Sequence, residues 1–296
     1  MHAPTLAAGV AGALLGGVLL ATPPPVTAST APSTAPSTAA STSSCAEGYT
    51  TEQGTCAAPV EQHPLTGAQR RQRAEKDERI STLHAAFVAQ ASGRSADDAA
   101  SPPVRNYYLP EVARMTIFKE GQGNGRKSYT CGPAATRNMV AAMYEHADGS
   151  YKNISEDQFA IWEGTTSNGT ARANVAAALN NHFSRFGSWK TWRPSDRFAM
   201  LATIAADTHD YHQSVILNVD TEYYSFFNGK ALNHFDFAYG YDNTNAAKRM
   251  VYVGEEWDPV FTYGSSSYGN PYGKHREQLW NVWQAVMHTS IHGIVA

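Results

Sequence analysis

The chain has three cysteines, Cys45, Cys56 and Cys131. Cys131 stands in the run Ser128-Tyr129-Thr130-Cys131-Gly132-Pro133-Ala134-Ala135-Thr136. Pro133 suits the first turn of a helix, where a missing N–H is harmless, and Ala135, Met139, Ala142 and Met143 continue at helical spacing. A cysteine at such a helix start has chemistry available to it. The macrodipole there favours a thiolate, and the unpaired backbone N–H groups can bind a developing oxyanion. Gly132 leaves room for a close approach by substrate or backbone.

A thiolate nucleophile needs an imidazole base, and the imidazole needs a third group to hold it. Of the 11 histidines, His234 is the best placed. It opens His234-Phe235-Asp236-Phe237-Ala238-Tyr239-Gly240-Tyr241, which alternates like a strand, with Phe235, Phe237, Tyr239 and Tyr241 on one face and His234, Asp236, Ala238 and Gly240 on the other. The turn from Asp242 to Asn245 leads into Arg249-Met250-Val251-Tyr252-Val253, a second strand. A hairpin centred near Asn245 or Ala246 puts residues 256 to 258 opposite His234. Asp258, followed by the strand-ending Pro259, is the expected orienter, and Glu256 is the second choice. Asp242 lies on the order of 26 Å along the same strand and is too distant. Asp236, one strand repeat away, reads as a neighbour in the site.

The elements that must hold these residues alternate along the chain. Ile80, Leu83, Phe87 and Ala91 predict an amphipathic helix. Ser155 with Gln158 opens a short helix to Trp162. Val175, Ala178, Leu179, Phe183 and Phe186 form a helical stripe, and Pro194 and Ser195 open a helix through Phe198, Leu201, Ala202 and Ala205. Ser214 to Val219, Leu232 to Tyr241 and Arg249 to Gly254 read as strands, and Leu279, Val282, Trp283 and Val286 mark a last helix. Helices first and strands later predict an α+β fold with the nucleophile helix packed on an antiparallel sheet.

Three segments occur in order: Tyr129-Thr130-Cys131-Gly132-Pro133-Ala134, then His234 to Asp242, then Val251-Tyr252-Val253-Gly254-Glu255-Glu256-Trp257-Asp258-Pro259. Together they resemble peptidase family C-thirty-nine, in its free-standing branch of secreted bacterial proteins. Founding members of that family cut double-glycine leaders from bacteriocin precursors. The likeness covers about Val104 to Ala296 and includes Gly164 to Thr170, a Gly-Thr turn ahead of a helix. It implies a papain-like fold with Cys131, His234 and Asp258 in the triad positions. It also implies an oxyanion-hole Gln about six residues before the cysteine, where this chain has Gly125. Gln122 could serve if the Gly-rich loop bulges, with Asn124 and the Cys131 N–H as alternatives. The leader-processing role does not carry over, because the sequence has no phosphate-cradling Gly-Lys-Ser or Gly-Lys-Thr motif.

The N-terminal region reads as an address. Leu6 to Ala21 is almost wholly Ala, Gly, Leu and Val, and Val26-Thr27-Ala28 fits a signal-peptidase site, although no Lys or Arg precedes the apolar run. Residues 1–28 are therefore expected to be a signal peptide. Residues 29–103 are expected to hold a Ser/Thr/Ala/Pro-rich linker, a small disulfide loop closed by Cys45 and Cys56, and a charged helix that could act as a pro-region. Residues 104–296 are expected to be the catalytic domain. This predicts a secreted bacterial protein, extracellular or cell-wall associated, with no stable membrane insertion after signal cleavage.

A net charge of -3 gives no nucleic-acid footprint. No cofactor is expected. No metal is implied either, because the histidines lack ligand spacing such as a helical His-Glu-x-x-His. The expected activity is a monomeric cysteine peptidase acting on peptides or proteins through a thioester. Its rivals are a cell-wall peptide amidase or acyltransferase with the same triad, and a non-catalytic peptide-binding module. Aromatic stretches from Tyr223 to Phe227 and from Tyr263 to Tyr272 are possible groove walls or loop packing.

Overall fold

The structure, a computed structural model, describes residues 60–93, 105–122, 129–289 and 292–296 in full, and 50–52 and 55–57 by their backbone. The expected signal peptide and linker lie outside the described residues. So does Cys45, and Cys56 is described by its backbone alone, which places the expected Cys45–Cys56 bridge outside the described residues as well. Strands β1 (Thr50–Glu52) and β2 (Thr55–Ala57) form a small antiparallel pair.

Helix α1 (Gly67–Ala91) is opened by a reciprocal capping box between Thr66 and Gln69. Strand β3 (Asn106–Tyr108) and helix α2 (Pro110–Arg114) lead to α3 (Cys131–Asp148). Gly149 ends α3 in the left-handed conformation at φ 69°, a position that favours glycine. Helices α4 (Glu156–Trp162), capped by Ser155, and α5 (Arg172–His182) follow. Then come β4 (Thr191–Trp192) and α6 (Arg197–Ala205), whose N-cap is Asp196, one residue beyond the expected Ser195. The C-terminal part supplies β5 (Val215–Asp220), β6 (Asn233–Asp242), β7 (Met250–Glu255), α7 (Pro259–Tyr263), β8 (Gly273–Gln278), α8 (Leu279–His288) and β9 (Gly293–Val295).

The sheet runs β4-β9-β5-β6-β7-β8, with β3 also paired to β6, and every pairing is antiparallel. Residues 234–242 of β6 are all buried, because apolar clusters cover both faces of the sheet. On one face Ile80, Leu83 and Phe87 of α1 meet Met200 and Leu201 of α6 and Val282 and Val286 of α8. On the other, Met139 and Val140 of α3 and Val175 and Leu179 of α5 meet Phe235, Phe237 and Tyr239 of β6. The fold is thus α+β, with the helix that begins at Cys131 packed on an antiparallel sheet.

Helix α1 is part of this core. Lys76 and Asp207 form a buried ion pair at 2.5 Å, and Gln69 reaches the carbonyls of Asn180 and Gly187. Among the described residues no helix is long and apolar enough to cross a membrane.

The hairpin of β6 and β7 departs from the expected register in one decisive place. Asp242 pairs with Met250 and Gly240 with Tyr252, as a turn near Ala246 requires, but Ala238 then pairs with Val253 and Phe237 with Gly254. A bulge at Tyr239 has removed one residue from the count. Because side chains alternate along a strand, one residue of slip turns every later side chain to the opposite face. Tyr241 accordingly sits in the cluster with Ala238, and not with Phe235, Phe237 and Tyr239.

Candidate active site

Cys131 is the first residue of α3, half-buried and free. The approach to it is pinned from two sides by buried acids. Glu120 accepts the Thr130 N–H at 3.0 Å, and Glu156 accepts the Gly121 N–H at 2.9 Å. Asn138, one helical stretch on, holds the backbone of Phe118 through both its N–H and its carbonyl. These bonds tie Phe118 to α3 and Gly121 to α4.

His234 lies near the start of β6, 5% exposed. Its Nε2 is 2.7 Å from Oε1 of Glu255, the last residue of β7. That same Oε1 accepts the Trp257 N–H at 2.8 Å, so the carboxylate is itself held. Trp257 and Phe227 stack nearly parallel at 5.8 Å beside the imidazole. With Nε2 committed to Glu255, Nδ1 is the nitrogen left for the thiol. Burial pulls His234 towards its neutral form. Glu255 and then Cys131 overturn that pull and hold the imidazole well above its usual range.

The expected orienter is elsewhere. Asp258 caps α7, accepting the N–H groups of Val260 and Phe261, and pairs with Lys119 at 2.6 Å. The reason is the bulge at Tyr239. Without it Asp258 would face His234. With it, the register that pairs Phe237 with Gly254, carried one residue further, brings Glu255 opposite Asp236, on the histidine's own face. Glu256, the second choice, is also close, with Oε1 3.6 Å from Nε2. Asp236 and Glu256 are fully buried beside Glu255, and burial followed by the Glu255 charge pushes both well above the usual carboxylate range. Burial likewise pushes Glu120 up to about 8.

A small cleft opens at the thiol, lined by Cys131, Asn168, Gly169, Thr170, Asn218, Asn233 and Phe235. The Gly164 to Thr170 turn singled out from sequence supplies one wall, closed by paired bonds between Thr166 and Gly169. Asn218, on β5 directly across from Phe235, is 1% exposed, and its Oδ1 has no partner. Sequence reasoning missed both Asn218 and Glu255.

Gln122 is exposed, and its backbone N–H serves Glu156. Asn124 and Gly125 lie outside the described residues. The first aromatic stretch is core packing and not a wall of this cleft: Tyr224 and Phe227 are fully buried, and Phe226 stacks on His275 at 3.8 Å. In the second, Tyr263 is exposed and Tyr272 bonds the Ile117 carbonyl.

No protein-family model matches the chain, and no curated protein matches it. Solved structures do. Bromelain from Ananas comosus in complex with the E64 inhibitor is 16% identical, with a TM-score of 0.41, over 65% of this chain and 97% of that one. The proform of the ragweed pollen cysteine protease Amb a 11 is 14% identical, with a TM-score of 0.45, over 71% of each chain. Digestive procathepsin L2 from Tenebrio molitor is 12% identical, with a TM-score of 0.43, over 70% of each.

Proposed function

We propose that this chain is a secreted cysteine peptidase in which Cys131 is the nucleophile, His234 the acid–base and Glu255 its orienter. One observation carries the reading. A buried imidazole is fixed through Nε2 by a buried carboxylate and also bonded to a cysteine at a helix start. The Cys131 sulfur attacks the substrate carbonyl, and the α3 N-terminus offers N–H groups to the oxyanion. His234 then gives its proton to the leaving amine, leaving a thioester. In the second half His234 takes a proton from water, hydroxide adds to the thioester, and the thiol regains its proton through the imidazole. Asn218 is the buried amide facing the cleft and is the proposed side-chain partner of the substrate carbonyl.

The ordered segments around Cys131, His234 and Asp258 support kinship with the C-thirty-nine family, amended so that Glu255 replaces Asp258 in the triad. The apolar run from Leu6 to Ala21 supports export. Helix α1 is read as a structural part of the domain and not a removable cover. Its polar contacts run to residues 180–213 and to Asn243, and none of those described reaches the cleft.

The test is cleavage of a mixed peptide library by the purified chain, alongside Cys131→Ala. Loss of all cleavage in a folded Cys131→Ala variant is expected. Undiminished cleavage by that variant sinks the reading. Turnover of cell-wall peptides or amine acceptors in place of the library moves the assignment to an amidase or acyltransferase with the same triad.

A further inference from the structure

Glu256 has no task in the mechanism above, and its position calls for one. It is fully buried, and neither carboxylate oxygen has a hydrogen-bond partner. Its Oε1 lies 3.6 Å from Nε2 of His234, the nitrogen that Glu255 approaches to 2.7 Å. Oε2 of Glu255 is also without a partner. A buried carboxylate oxygen with no donor is unfavourable by a few kcal/mol as a rule. Here one such oxygen, Oε1 of Glu256, stands at the imidazole edge that Glu255 already occupies.

One ligand atom from each of His234, Glu255 and Glu256 can be chosen so that all lie within 4.8 Å of one another. A tetrahedral zinc ion with bonds of about 2.0–2.1 Å holds its ligands roughly 3.3 Å apart. The 2.7 and 3.6 Å separations bracket that value. One nitrogen and two carboxylate oxygens form a donor set that zinc and its first-row neighbours accept, leaving one position open. The Trp257 N–H on Glu255 supplies the outer bond that such ligands commonly need.

We infer that His234, Glu255 and Glu256 form a binding site for a divalent cation of the zinc class, whose occupancy shuts off hydrolysis at Cys131. The second half of this rests on His234 being the base. When the metal binds, Nε2 donates its lone pair to the ion and any proton on Nε2 leaves to solvent. The neutral metal-bound ring then carries its one proton on Nδ1, the nitrogen left for the thiol, kept from the imidazolium or taken back from solvent. It can accept no further proton from Cys131, and attack is blocked. Removing the ion returns Nε2–H to Glu255 and restores the base.

The test uses the full chain freed of metal with a chelator and titrated with cobalt(II) as a spectroscopic substitute, with zinc titrated in parallel against peptide cleavage. Uptake of one cobalt per chain is expected, weakened about tenfold or more in Glu256→Gln, together with zinc inhibition reversed by the chelator. Absence of uptake overturns the site, as does uptake untouched in a folded Glu256→Gln. Uptake with undiminished cleavage overturns the switch. If Glu256→Gln does not fold, alkylation of Cys131 in the wild type decides: zinc slowing it supports the site, and no change overturns it. Cobalt uptake by a chain with no hydrolytic activity leaves the site standing and removes the proposed function instead.

Discussion

Nε2 of His234 and Oε1 of Glu255 meet at 2.7 Å across two neighbouring antiparallel strands, both side chains buried. The pair makes a sharp prediction against the acid that the sequence pattern favoured. In Glu255→Gln the new amide can turn its NH₂ towards Nε2. That fixes the ring proton on Nδ1, where a proton must be accepted. Peptide cleavage should fall by roughly two to four orders of magnitude in kcat/KM. Asp258→Asn keeps an oxygen for the α7 cap and loses only the partly exposed pair with Lys119. Its activity should stay within about threefold of wild type and its stability within about 1 kcal/mol. Steady-state kinetics of both variants check this, and the reverse ranking overturns the assignment of Glu255.

Most of the frame was legible in the chain. The stripes at Val175, Leu201 and Val282 and the pattern of β5, β6 and β7 are strong signals; the three strands lie within a residue of where they predict, whereas α5 stops at His182, four residues short of Phe186 in its expected stripe. Cys131 at a helix start follows from Pro133 and the residues after it. The orienter was not legible, because its identity depends on a single residue of register over eight positions. One signal was available: an isolated glycine inside a strand often marks a bulge or a close backbone approach. Gly240 is such a residue, since a Cβ there would lie 2.4 Å from the Tyr107 carbonyl oxygen. The buried acids were illegible for a different reason. Glu120, Glu156 and Glu163 sit in polar, turn-rich stretches, and burial is decided only when α3 and α4 pack together.

Gly132, next to Cys131, is a tight contact. A Cβ there would lie 2.9 Å from Cβ and 3.0 Å from Oγ1 of Thr170, whose hydroxyl is bonded to Thr165 at 2.7 Å. Gly132→Ala should therefore displace the cleft wall, lowering stability by about 1–3 kcal/mol and reducing kcat/KM. The double variant Gly132→Ala with Thr170→Ala opens space for the added methyl and should recover part of the stability. Urea unfolding of the two singles and the double gives the coupling, and strict additivity means the two residues do not meet as described.

Glu163 predicts how stability depends on pH. It is fully buried, and burial outweighs a bond from the Thr136 side chain and pushes its carboxyl up to about 8. Glu120 is pushed to about 8 in the same way. In the unfolded chain both release their protons near the ordinary carboxylate value of about 4.5. Between there and pH 8 the folded state binds more protons than the unfolded one, so stability must fall as pH rises through that window. His234 works in the same direction at the upper end. Its raised value gives stability that is complete below about 6.5 and is lost as pH climbs through the folded value. Glu163→Gln removes one ionisation without changing the side chain's size. It should be close to neutral at pH 5, stabilise the chain by about 1–3 kcal/mol at pH 8, and flatten the profile between them. Chemical denaturation at a series of pH values measures this, and an equal effect of the substitution at pH 5 and pH 8 would show that folding does not raise the Glu163 carboxyl.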